Sequence, residues 1–373
     1  MTSLPALRVL LLCCFLLSLV NPISAEPSQW IWLTWSEDDT AHTISVSWRS
    51  TENYVGKVRY DSVPRGGEPS AYQYLAEEDP STSPVSYSGL EGYIHHVELT
   101  ELEPDAVYYF IVGDPELGWS EEHSFKTPPA QPERLKFIVG GDSRSGGPGW
   151  PEIRDTMTRL AASYDPDFVC FTGDFVKSWN DQDEWDNWFR AWYLYARTSD
   201  NCLIPLVPVI GNHEVFYPQP TDYEPKTQAT NYYSQFNLPG NERWYSLSWG
   251  EELLHLVVLD SEIRTGGTTW ENQLAWLQQD LMEHQDYRWI VALGHRPVFT
   301  SGKYYPGDSL LEDWAESFGL FGIDFYFSGH DHGYERTGPI NILENLGGFV
   351  EEGTFYVVSA GWGAPLYSGG TTK

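Results

Sequence analysis

The chain has 373 residues, too many for one ordinary hydrophobic core, so two domains are expected. Its 41% hydrophobic content, with 17 Trp and 23 Tyr, excludes an intrinsically disordered chain. A formal charge of −31 excludes nucleic-acid binding by bulk electrostatics, and an anionic substrate would need a local reversal of the field, which bound metal ions supply.

Residues 1–25 read as a secretory signal peptide: Arg8, then the apolar run "VLLLCCFLLSLV", then the small-residue region "NPISA". Twelve apolar residues fall short of the ~20 that span a bilayer, so cleavage after Ala25, secretion and no membrane span are expected. Cys170 and Cys202 then remain in an oxidising compartment, where they either pair or stay as buried thiols.

From 28 to 127 short alternating runs such as "ISVSWRS", "GKVRYDS", "IHHVELT" and "AVYYFIVGD" are separated by turn clusters, the pattern of an all-β sandwich. Leu102, Pro104 and Tyr108 have the spacing of the tyrosine corner of fibronectin type III-like sandwiches. The proline-rich "PPAQPE" is a linker. From 135 to 373 apolar strands alternate with helical segments, predicting layered α/β packing. Strands are expected over 135–142, 167–174, 205–213, 253–260, 289–295, 324–330 and 354–361, and helices over 151–164, 183–196, 268–284 and 308–320.

Five of these strands end in glycine followed by a polar side chain: Gly141-Asp142, Gly173-Asp174, Gly211-Asn212-His213, Gly294-His295 and Gly329-His330-Asp331-His332. The C-terminal ends of strands are where α/β sheets gather ligands. A lone Asp there is ordinarily a cap or turn residue, and a lone His an ordinary hydrogen-bonded one. From these ends, a set of two Asp, one Asn and three His offers oxygen and nitrogen donors suited to Zn, Mn or Fe. Six donors exceed one tetrahedral site, so two metal ions bridged by a carboxylate are expected.

The series "GDSR", "GDFV", "GNHE", "GHRP" and "GHDHGYER" resembles the calcineurin-like metallophosphoesterase superfamily, and within it the purple acid phosphatase branch, with its fibronectin-like N-terminal domain. The resemblance implies a four-layer α/β/β/α catalytic sandwich. It implies that Asp142 and His332 bind the first metal, Asn212, His295 and His330 the second, and that Asp174 bridges both. It implies a secreted, acid phosphatase-like hydrolase of small phosphate monoesters, acting by in-line attack of a hydroxide held on the metals. His213 matches the histidine that binds phosphate or protonates the leaving group, with Glu214 as its expected partner. Asp331 is expected to face away from the metals.

Three departures accompany the resemblance. Lys177 stands where purple phosphatases carry a metal-binding tyrosine, and an ammonium has no lone pair to offer. Arg144 stands where other superfamily members place a histidine. A non-purple site, weaker at the first metal, is expected, with Arg144 and Lys177 as candidate phosphate contacts. The second catalytic histidine is missing from "HRPVFTSGKYYPGD", where Lys303, Tyr304 or Tyr305 are the available substitutes. The stop at Lys373 suggests a truncated sequence or an exposed sheet edge. A phosphodiesterase on nucleotides or lipid headgroups, and a non-catalytic adhesion protein on a degraded scaffold, are the competing readings.

Overall fold

Alternation of apolar and polar residues pairs the first third of the chain into two antiparallel sheets. The computed structural model describes residues 28–79, 92–144, 150–216, 225–263, 268–343 and 353–367; the signal-like segment lies outside them. One sheet joins strands Gln29–Thr34, Ile44–Ser50 and Tyr93–Leu99. The other is built on Lys57–Asp61 and Val107–Asp114, flanked by Tyr74–Glu77, Gly118–Trp119 and His123–Lys126. The predicted corner is present: the Tyr108 hydroxyl accepts the Glu103 N–H at 2.8 Å. Between the sheets, buried Glu78 accepts N–H groups of Gly56 and His96 and the Nδ1 of His95.

The strand Gln29–Thr34 reads "QWIWLT", with no clean alternation, because both of its faces are covered. Trp32 packs on Phe189 of the helix Gln182–Tyr195, ring centroids 4.0 Å apart, and its indole N–H reaches the Gln235 carbonyl at 3.0 Å. Thr40 bonds the Ser248 carbonyl at 2.6 Å, and Arg49 pairs with Asp186. The sandwich therefore shares a continuous core with the α/β part.

In the second part, Phe137–Gly140, Phe168–Phe171 and Leu206–Pro208 form a three-stranded parallel sheet. A six-stranded sheet contains the parallel strands Leu254–Val258, Trp289–Leu293, Phe325–Ser328 and Thr354–Ser359, with antiparallel edges Tyr245–Trp249 and Tyr334–Ile340. The helices Trp150–Ala162 and Gln182–Tyr195 cover the small sheet, where Trp188 meets Phe171 edge-on at 5.4 Å. Thr268–Glu283 and Glu312–Phe321 cover the large one, where Trp314 meets Tyr326. The four layers expected from the sequence are thus in place. At one rim the sheets are joined: the Gly141 N–H donates to the Ser359 carbonyl, and the Trp362 N–H to the Gly141 carbonyl. All seven expected strands run parallel into or beside that rim, each one to several residues shorter than its apolar run. Cys170 and Cys202 are both buried free thiols.

Candidate metal centre

The apolar strands stop two to four residues before their donor side chains, and the residues that turn out of the sheet carry the donors. Asp142, Asp174 and His330 all have left-handed backbones, with φ of 61°, 55° and 66°. Such conformations cost energy for residues with a Cβ and persist where the surroundings hold them. Here the Asp142 N–H donates to the Gly173 carbonyl at 2.9 Å, and the His330 N–H to both Asp142 carboxylate oxygens at 3.0 and 3.1 Å. Gly329 is required by close approach: a Cβ there would lie 2.4 Å from Asp142 Oδ2. At Gly211 a Cβ would lie 2.4 Å from the Asp174 N and 2.6 Å from its Oδ1.

The structure brings all six expected donors together. Asp142, Asp174 and His332 are buried, and their ligand atoms lie within 4.8 Å of one another, with His332 Nε2 3.3 Å from Asp142 Oδ1. On the other side of Asp174, His295 Nε2 is 3.3 Å from Asp174 Oδ1, 3.0 Å from Asn212 Oδ1 and 3.2 Å from His330 Nδ1. The tautomers decide what these contacts mean. His295 Nδ1 donates to the Thr172 carbonyl and His332 Nδ1 to the Pro365 carbonyl, each at 2.7 Å. A carbonyl can only accept, so in the neutral rings both Nε2 atoms are bare. Bare nitrogens then face carboxylate and amide oxygens at 3.0–3.3 Å, lone pair against lone pair, relieved at His332 alone by an N–H of Arg144 at 3.1 Å. Cations between them satisfy that arrangement, and the donors fall into two groups that share Asp174.

The profile of the calcineurin-like phosphoesterases matches residues 103–334, and that of the purple acid phosphatase N-terminal domain residues 28–127. The chain belongs to the calcineurin-like phosphoesterases. The chain is 26% identical over 279 residues to purple acid phosphatase 1 of Ipomoea batatas, an alignment covering 70% of this chain and 55% of that protein. To purple acid phosphatase 23 of Arabidopsis thaliana it is 27% identical over 382 residues, 86% of this chain and 77% of that one. The chain thus spans just over half the length of the first of these relatives. The structure of purple acid phosphatase PPD1 from yellow lupin (Lupinus luteus) shares the fold, with a TM-score of 0.72 at 20% identity over 93% of this chain and 66% of that chain.

Around the phosphoesterase donors, electrostatics favour an ionised bridge. Burial pushes the Asp174 carboxyl up, but positive charge beside it, on His295 and His213 when protonated and on Arg144, more than offsets it and holds the group below its ordinary range. Glu214 does not partner His213, as its position in "GNHE" suggested. It turns into the protein and accepts four N–H groups, from Asp174 and Gly211 at Oε2 and from Phe175 and Val176 at Oε1. Burial and the Asp174 charge push its carboxyl up, and the inbound N–H groups act against that, since only the ionised form accepts all four. His213 is held instead by the carbonyl of Lys177, which accepts its Nδ1–H at 2.6 Å. Its Nε2 is thereby aimed at the centre, 3.8 Å from Asp174 Oδ2.

The two cations named from the sequence part company. Arg144 lies over the first donor group, with Nε 3.4 Å from Asp174 Oδ2 and Nη2 3.1 Å from His332 Nε2. The Lys177 side chain is exposed, and what position 177 contributes is its backbone. Asp331 faces away from the metals, as expected, and accepts the Thr300 hydroxyl and the N–H groups of Lys303 and Tyr304. Two aromatic rings cover the histidines: Tyr304 stacks on His330 at 4.3 Å and Tyr367 on His332 at 4.2 Å. Tyr367 carried no sequence signal beyond its aromatic side chain. A second group, His255, Asp280 and His284, also brings one ligand atom from each residue within 4.8 Å of the others, but its donors are engaged within the protein, with His284 Nδ1 at 2.7 Å from the Asp280 carbonyl. His255 is instead satisfied by Ser248 and Asp280.

Proposed function

We propose that this phosphoesterase is an exported two-metal enzyme that hydrolyses small phosphate monoesters, in the manner of an acid phosphatase. The observation that carries the reading is the set of bare imidazole nitrogens facing oxygens on both sides of the buried Asp174. Asp142, Asp174 and His332 would hold one ion, and Asp174, Asn212, His295 and His330 the other. A pair of Fe, Zn or Mn ions supplies Lewis acidity toward phosphoryl oxygens and toward water. The chain's own residues do the rest. Asp174 stays ionised and is fixed by the His213 N–H at 3.0 Å. The His213 ring, half-buried with Nδ1 fixed, presents Nε2 where a proton can pass to a departing alkoxide. Arg144 offers guanidinium N–H groups to phosphate oxygens, and among the described residues its buried Nε has the ion pair with Asp174 at 3.4 Å but no hydrogen-bond partner. The signal-like segment 1–25 supports export, and among the described residues no helix is long and apolar enough to cross a membrane.

The test is hydrolysis of phenyl phosphate and of a bis-aryl diester by metal-loaded protein, alongside metal counting. Monoester turnover in wild type, abolished in Asp174→Asn together with at least one bound ion, is the expected result. Diester turnover exceeding monoester turnover would replace the reading by a phosphodiesterase. Inactivity with two ions bound would remove the catalytic reading altogether. His213→Asn should lower kcat by about 10²-fold or more with the metal content kept.

A further inference from the structure

The loop 300–305 places one lysine above the centre. Lys303 Nζ lies 3.2 Å from the Tyr304 hydroxyl, 4.9 Å from the Tyr304 ring centroid and 4.1 Å from that of Tyr367. Those are the two rings that lie flat on His330 and His332. The ammonium therefore stands one ring layer outside the metal-ligating imidazoles. Arg144 Nη2 also reaches the same tyrosine, 3.5 Å from the Tyr367 hydroxyl. Two cations thus meet Tyr367, and among the described residues no carboxylate lies within 4.0 Å of Lys303 Nζ. The bonds to Asp331 fix the loop: 3.1 and 3.2 Å from the backbone N–H groups of Lys303 and Tyr304, and 2.7 Å from the Thr300 hydroxyl. Asp331 lies between the ligands His330 and His332, so the same short segment sets both the metals and the lysine. In a chain of net charge −31, Arg144 and Lys303 supply positive charge at this rim, while the Asp331 and Glu335 carboxylates are turned to the loop's own N–H and hydroxyl groups.

We propose that Lys303, set in place by Asp331 and the two tyrosines, is a specificity-determining residue that binds a second negative charge on the leaving group. The preferred substrates are then phosphate monoesters or anhydrides whose leaving group carries its own carboxylate or phosphate. The ammonium is too far out to hold the transferred phosphoryl group, which belongs with the donors beneath the tyrosine rings. It is placed for the group departing outward. The interaction with Tyr304 also raises the affinity of the amine for its proton, so Lys303 acts as a fixed charge and not as a proton donor.

The inference rests on the phosphoesterase reading above, and the experiment separates the two. Metal-loaded wild type, Lys303→Met and Lys303→Arg are assayed on phenyl phosphate, 2-phosphoglycolate and pyrophosphate, with ions per chain counted for each. For Lys303→Met, the kcat/KM ratio of 2-phosphoglycolate to phenyl phosphate should fall roughly tenfold, mainly through KM, and that of pyrophosphate at least as far. Lys303→Arg should restore most of both ratios. A fall for one anionic substrate alone assigns the subsite to carboxylate or to phosphate. Ratios that move less than twofold, with phenyl phosphate hydrolysed, overturn the subsite and leave the phosphoesterase reading standing. Absence of turnover of all three substrates by wild type overturns both.

Discussion

Glu214 touches no candidate metal ligand atom, yet the geometry makes it a residue on which metal binding depends. Its two oxygens each accept a pair of N–H groups: Asp174 and Gly211 at 2.8 and 2.9 Å on Oε2, Phe175 and Val176 at 2.9 and 3.4 Å on Oε1. These donors belong to the turns that carry Asp174 and Asn212. Glu214→Gln keeps one accepting oxygen and replaces the other with an NH₂ group. Two buried N–H groups then face a donor. At about 1–3 kcal/mol for each unsatisfied buried group, the loss is about 2–6 kcal/mol, a large share of a typical domain's ~5–15 kcal/mol. Part of that strain is relieved by opening the turn, which moves Asp174 off the shared position. Urea unfolding followed by tryptophan fluorescence should show a clearly lower midpoint, and equilibrium dialysis fewer ions per chain. The opposite outcome is informative. A neutral Glu214 would donate one proton and accept less, and Gln would replace it with little loss. Wild-type midpoint and metal content in Glu214→Gln would therefore refute the ionised, four-bond arrangement.

Three further outcomes are expected. Gly329→Ala places a methyl group 2.4 Å from Asp142 Oδ2, so it should reduce bound metal at the first site, measured by dialysis, with an unchanged far-UV spectrum. His96 ties the sandwich to the second part through Ser234 O at 3.1 Å, and burial pulls its pKa from 6.5 down to about 4. Its folded value is the lower, so the unfolded chain takes up the proton first as pH falls. Stability is full above about pH 6.5 and is lost toward pH 4, by on the order of 2–3 kcal/mol, and His96→Gln should flatten that dependence in urea titrations at pH 7 and 4.5. Lys177→Ala should change kcat/KM for phenyl phosphate by less than about twofold, because the backbone carbonyl that holds His213 survives the substitution.

The parts that were legible in the sequence are those where one residue type at one strand end suffices. A buried parallel strand must be apolar, and it must stop where a donor is needed, so the Gly-polar endings at 141–142, 173–174, 211–213, 294–295 and 329–332 stand out against the apolar runs before them. The tyrosine corner at Tyr108 was legible for the same reason, a fixed local spacing with one hydrogen bond. What escaped depends on the direction a side chain takes after the turn. Glu214 follows His213 directly, and adjacency suggested a pair. The turn sends His213 toward the centre and Glu214 under it, and no composition or period encodes that choice. The strand Gln29–Thr34 lacked the alternating signature because its second face is covered by a helix more than 150 residues later.

Position 177 shows why a missing ligand is only half an argument. The lysine removes a phenol from the first donor group, which was visible at once, and the natural next step was to give its ammonium a task. The structure gives the task to the main chain: the Lys177 carbonyl fixes Nδ1 of His213, and a carbonyl has no sequence identity. The local positive charge comes instead from Arg144, which lies over Asp174 and His332, and from Lys303, held by an aspartate that sits between two candidate ligand histidines. Substitution of the phenol by any residue that leaves the 174–177 turn intact should therefore preserve the placement of His213. If Arg144 and Lys303 set substrate preference as proposed, those two positions, on other loops, are where relatives of this chain should differ in it.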